Sequence, residues 1–292
     1  MPTTNRVRAT TLSVLLLVAT LAAPARADRA EALYKEGMAY KNQGKVDEAI
    51  AAFEKAVAER PNHVMAWSSL GSLYKKKEQY DKAVAAYEKA TELAPKTAVL
   101  WANLGYAYAR ADRTDDAIKA LLKSCRIDHK DAAMHAFLGT LFRQKGNIKG
   151  AIVHLKWAVK LKADDPDYYN NLGVALRHDK QYPQAIEAFK KAIALGEKAQ
   201  YHFDLAVVYR RQEEIDSAIE HYTAATRLDP KMAPAWYDLG IMHKANHDDA
   251  KAVEAWEHYL EVSGGKGPEA EQVKKEIEAA GGTPAKKRKK NK

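Results

Sequence analysis

The side chains that could do chemistry are few and scattered. His243 and His247 stand four residues apart and precede Asp248-Asp249, a spacing that could place two metal ligands on one helix face. Packing competes with that reading. His243 falls where equivalent stretches carry a tyrosine or another large residue, and His247 falls in a loop, so neither is assigned a metal. Cys125 is the single cysteine, which excludes an intramolecular disulfide framework and a cysteine-built zinc or iron–sulfur site. It is expected to behave as a small buried hydrophobe. The stretch from Gly37 to Lys45 has six residues between its glycines and no Ser or Thr after the lysine, so it fails as a phosphate-cradling loop. G-x-S-x-G, H-E-x-x-H and G-x-G-x-x-G do not occur. The reading is a protein that is not an enzyme, with no cofactor and no small-molecule substrate.

The elements that must position side chains are far more legible. The chain has 292 residues, 47% hydrophobic and 29% charged, a composition that excludes disorder, collagen and a polytopic membrane protein. Its middle repeats itself. Blocks begin at Ala30, Val64, Ala98, Ala132, Pro166, Ala199 and Ala233 and the last ends at Lys266; six are 34 residues long and the fifth is 33. Counting from each block start, position eight holds Gly37, Gly71, Gly105, Gly139, Gly173, Ala206 and Gly240. Position twenty holds alanine in all seven, and a large apolar residue follows four later: Phe53, Tyr87, Leu121, Leu155, Phe189, Tyr222 and Trp256. Within a block, Trp67, Leu70, Gly71 and Tyr74 share one face of a first helix, and Ala83, Tyr87 and Ala90 share one face of a second. Small residues let the two axes approach while the large ones fill the neighbouring grooves. Pro95 stops the second helix because it lacks an N–H and clashes with the preceding turn.

These residues, with Trp67, Trp101 and Trp236 at position four and Pro61, Pro95 and Pro230 near the block ends, resemble the tetratricopeptide repeat. The segment WSSLGSLYKKKEQYDKAVAAYEKATELAP is a near-consensus copy. The fold expected is all-α, a right-handed superhelical solenoid of seven helix–turn–helix units spanning 30–63, 64–97, 98–131, 132–165, 166–198, 199–232 and 233–266, behaving as one cooperative array. Gly264-Gly265 breaks the chain, and a short amphipathic helix within 267–282, with Ala270, Val273, Ile277 and Ala280 on one face, is expected to cap the last unit.

The resemblance also implies where a partner sits, because in this family the first helices line a groove that holds an extended peptide or a partner's helix. Position twelve supplies Lys41, Lys75, Arg143, Arg177, Arg210 and Lys244, with Ala109 the exception and Arg110 beside it. A cation there also favours the helix dipole by roughly 0.3–1 kcal/mol, so the stripe has a structural explanation next to the functional one. In the same groove Asn103, Asn170 and Asn171 could bond a peptide backbone, and Tyr106, Phe137, Phe203 and Tyr237 could receive side chains. An acidic or carboxylate-ended protein segment fits that lining best. The carboxylate clamp of co-chaperones is not reproduced: Asn103 matches its middle element, but Ser68, Ser72, Ala133 and Phe137 occupy the other positions. The asparagine ladder of the O-linked glycosyltransferase is matched by Asn103 and Asn171 alone, with Asp204 and Asp238 standing in its place later.

The two ends carry the charge. Residues 1–27 hold Arg6 and Arg8, an apolar run from Leu12 to Ala23, and the small-x-small triplet ending at Ala27, the pattern of a secretory signal peptide cleaved after Ala27. The apolar run is shorter than the roughly 20 residues a permanent anchor needs. An exported protein, periplasmic or secreted from a bacterium, is the expectation. Residues 283–292 carry Lys286, Lys287, Arg288, Lys289, Lys290 and Lys292 and are expected to form a disordered tail. The second functional reading rests on that tail, as an electrostatic tether to anionic lipid, lipopolysaccharide or nucleic acid. The formal net charge is +9, yet residues 28–282 hold 38 cations and 38 acids. The excess therefore belongs to the ends, and the stretch between them is neutral.

Overall fold

The computed structural model describes residues 26–266 and 268–280. The signal peptide expected over 1–27 lies outside them except for its last two residues, and the basic tail lies outside them entirely. The described residues form an all-α structure. Helix α1 runs over 26–42 and is followed by α2 Val46–Glu59, α3 Val64–Lys76, α4 Tyr80–Leu93, α5 Ala98–Arg110, α6 Thr114–Ile127, α7 Ala132–Gln144 and α8 Ile148–Leu161. Then come α9 Pro166–His178, α10 Tyr182–Leu195, α11 Ala199–Arg211, α12 Ile215–Leu228, α13 Ala233–Ala245, α14 Asp249–Val262 and α15 Pro268–Ala279. No described helix is long and apolar enough to cross a membrane.

Each tight turn between paired helices is built the same way. The residue at position fifteen takes a left-handed backbone: Glu78, Asp112, Lys180, Glu213 and His247 at φ of 58–60°, and Gly44 and Gly146 at 75–76°. The following N–H reaches back to the carbonyl at position eleven, as in Gln79 to Tyr74 at 2.9 Å and Gln181 to Leu176 at 2.9 Å. This arrangement satisfies the carbonyls that a helix end leaves without partners. The glycine at position eight has a different purpose. A Cβ on Gly71 would stand 2.8 Å from the Tyr87 ring, and one on Gly173 2.6 Å from the Phe189 ring, so in these two hairpins the ring packs where a side chain at position eight would stand.

The described residues fall into two compact units that meet between Met134 and His135 in sequence. The first has a core of Phe53, Leu70, Leu73, Tyr74, Val84, Tyr87 and Leu104 with the alanines between them. Its hairpins are tied by side-chain bonds: Tyr74 donates to Glu54 and Tyr108 to Glu88, each at 2.5 Å, and the Trp67 and Trp101 indoles donate to the Pro61 and Pro95 carbonyls at 2.8 Å. The second unit centres on Leu155, Leu172, Leu176, Phe189, Leu205, Val208 and Tyr222. At its end Ala270, Val273 and Ile277 of α15 bury themselves against Trp256, Tyr259 and Leu260, so this helix covers apolar surface that α14 would otherwise leave in water.

Candidate functional site

In the first unit, the first helices of three hairpins present a shallow groove of about 290 Å³ lined by Tyr34, Met38, Lys41, Ser68, Lys75 and Asn103 among others. Met65, on its lining, is 59% exposed. Lys41 and Lys75 close α1 and α3, where the helix dipole already favours a cation, and neither makes an ion pair among the described residues. Tyr87 on the groove's floor is buried and hydrogen-bonded with Ser72, and its phenol is pushed up to about 12 by burial. Cation, amide and exposed apolar side chains therefore meet in one place. Tyr106 is half-buried on α5, and Arg110 is exposed at the end of that helix, beside a separate cleft at the turns.

The second unit treats the same register differently. Arg177 approaches the Asp204 carboxylate at 3.5 Å, and Arg210 reaches Asp238 at 2.6 Å. Asp204 also accepts from Gln200 at 2.9 Å and from the Asn170 amide at 3.3 Å. Asp238 accepts from the Tyr222 hydroxyl at 3.1 Å. Burial raises the Asp238 carboxyl above its ordinary range against the pull of Arg210, and it raises the Tyr222 phenol well above its own. Lys244 pairs with Asp249 at 2.9 Å. Asn170 is buried, with its amide oxygen left without a hydrogen-bond partner. Asn171, Phe137, Phe203 and Tyr237 are half-buried, and Phe203 packs edge-on against Tyr222 at 5.7 Å. Arg143 shares its surroundings with Arg177 and His178; burial, then these two guanidiniums, hold the His178 imidazole below its usual range. Three of the four position-twelve cations of this unit thus meet carboxylates of the protein itself.

His243 is buried, and burial lowers its imidazole. His247 is the left-handed turn residue. Asp248 caps α14 by accepting from the Lys251 N–H at 3.1 Å, and Asp249 faces Lys244, so these four residues are engaged in turn, cap and packing. Cys125 sits half-buried on α6 with its thiol raised by burial, which keeps it protonated and a poor nucleophile.

Sequence reasoning missed two histidine pairs. Position four, tryptophan in three hairpins, is His135 in α7 and His202 in α11. In those same two hairpins position twenty-three, alanine in the other five, becomes His154 and His221. Each pair brings Nδ1 to Nδ1 at 3.0 Å. The signal was a nineteen-residue His spacing occurring twice in one register.

A family model described as the cilia and flagella-associated protein 70 C-terminal domain matches residues 9–195, well over half of the chain, and two described as tetratricopeptide repeat match 165–231 and 203–268. The small glutamine-rich tetratricopeptide repeat-containing protein 2 of Mycosarcoma maydis is 33% identical over 102 residues, covering 35% of this chain and 28% of that protein. The chain spans less than a third of the length of the curated relatives it matches. Among solved structures, the C-terminal part of a TPR repeat-containing protein from Cytophaga hutchinsonii aligns at a TM-score of 0.69 and 20% identity over 82% of this chain and 98% of that one. YrrB, described as a TPR protein with an unusual peptide-binding site, aligns at a TM-score of 0.58 and 23% identity over 63% of this chain and 95% of that one. These two likenesses show the fold. Repeat register, hairpin architecture and family models agree: the chain belongs to the tetratricopeptide-repeat family, whose members are generally non-catalytic modules that bind other proteins.

Proposed function

We propose that this protein is an exported adaptor that holds an acidic or carboxylate-ended segment of a partner protein against the groove of its first unit. One observation carries the reading: Lys41 and Lys75 stand in that groove without a carboxylate partner among the described residues, whereas Arg177, Arg210 and Lys244 in the second unit each have one. An incoming carboxylate replaces water at the two lysines, while at Arg210 it would have to displace a carboxylate already in place. Asn103 can bond the partner's backbone, and the exposed Met65 can receive an apolar side chain. YrrB, with its peptide-binding site, lends the fold a precedent for such use. Export rests on the Arg6, Arg8 and Leu12–Ala23 pattern, and N-terminal sequencing of protein from the cell envelope checks it by the expected start at Asp28. The groove is tested by panning free-carboxylate heptapeptides on the purified protein. Enriched peptides should carry acidic residues beside an apolar one and lose at least tenfold in affinity with Lys41→Glu/Lys75→Glu. No acidic bias, or equal binding to that variant, refutes the assignment.

A further inference from the structure

The two histidine pairs recur in one register, with no counterpart in the other five hairpins. In α7/α8 the His135 and His154 rings face each other through Nδ1 at 3.0 Å, with His154 stacked on Phe142 and His135 on Trp157. In α11/α12 the His202 and His221 rings repeat the geometry at 3.0 Å, and Tyr209 stacks flat on His221. His135 and His202 are buried, while His154 and His221 are half-buried. In the second pair, His202 Nε2 lies 3.2 Å from the Glu197 carboxylate, which Arg227 also approaches at 3.2 Å. A carboxylate accepts only, so it fixes the His202 proton on Nε2 and leaves the Nδ1 lone pair aimed at His221. This carboxylate–histidine arrangement is the one that orients and strengthens imidazole ligands of metal ions.

Burial holds His154 down to about 4 and lowers His221 as well, so both rings are neutral at pH 7, as metal ligation requires. Two nitrogens bound to one ion at about 2.0–2.1 Å, at angles between square and tetrahedral, lie roughly 2.8–3.4 Å apart, a range that includes the 3.0 Å of both pairs. Imidazole suits borderline first-row ions.

We propose that each pair is a binding site for a borderline divalent first-row cation such as zinc, held by His135 and His154 in one hairpin and by His202 and His221 in another, with solvent completing the coordination. Bound ion would clamp the first helix of a hairpin to its second, in the place where other hairpins use a tryptophan on an alanine.

The test uses protein purified without a polyhistidine tag, titrated calorimetrically with zinc chloride and read independently by the visible spectrum of the cobalt(II)-loaded protein. Two sites are expected. The replacements His135→Trp/His154→Ala and His202→Trp/His221→Ala install the pair that three other hairpins use, so they preserve packing; each should remove one equivalent. Glu197→Gln should weaken the second site about tenfold and leave the first unchanged. Absence of zinc binding, stoichiometry unaltered by the two double replacements, or a nitrogen NMR signature of a proton shared between the rings that persists unchanged with zinc present overturns the proposal.

Discussion

Arg210 reaches from α11 to the next hairpin and sets its guanidinium 2.6 Å from the Asp238 carboxylate, whose other oxygen accepts from Tyr222. The link joins three helices through one side chain that is 11% exposed. Asp238→Ala should destabilise the second unit by about 2 kcal/mol or more, because it strands a partly buried cation and a buried phenol. Adding Arg210→Ala to that variant should lose little further, a non-additivity that urea unfolding of the four proteins of the cycle measures.

The turns offer a stabilising change. Lys180 and Glu213 hold left-handed backbones at φ of 60°, a conformation that disfavours residues with a Cβ by roughly 1–2 kcal/mol. Lys180→Gly or Glu213→Gly should therefore raise stability, by up to about 1 kcal/mol after the glycine's greater freedom when unfolded is subtracted. Gly146→Val, at φ of 75°, should lower it. Thermal midpoints by circular dichroism give both signs.

Acid should act on the histidine pairs. His154 and His221 have folded values below that of a free imidazole: burial is the main cause for both, helped by His135 for the first and by His202 and Lys190 for the second, which Glu220 opposes. The unfolded chain then binds more protons, so stability is fully present above about pH 6.5 and falls as pH drops towards 4. The His135→Trp/His154→Ala variant should show a shallower decline across that window than the unaltered protein. Equal slopes in urea unfolding at pH 7, 6 and 5 would contradict this origin.

Much of the architecture could be read from spacing because a repeated hairpin imposes the same steric demands at every copy. Gly71 opposite Tyr87 and Gly173 opposite Phe189 are the same problem solved twice, and repetition exposes it. Charge pairing between hairpins was less legible. Position twelve looks cationic throughout, yet whether each cation faces solvent depends on what the following hairpin brings to position six: Asn103 opposite Lys75, but Asp204 and Asp238 opposite Arg177 and Arg210. Those aspartates were visible as departures from an asparagine pattern, without the distance that turns a departure into an ion pair. The histidine pairs were hidden for another reason: they break the tryptophan and alanine pattern that identifies the repeat, and each half of the pair reads alone as an ordinary core substitution.

The central claim, that a protein partner occupies the groove of the first unit, is tested most directly by photo-crosslinking in living cells. A photoreactive residue at Met65, beside Lys41 and Lys75, is compared with one at Arg210. The account predicts a discrete protein adduct from position 65 that disappears with Lys41→Glu/Lys75→Glu, and none from position 210. Adducts confined to position 210, or an adduct at 65 indifferent to the lysines, would contradict it.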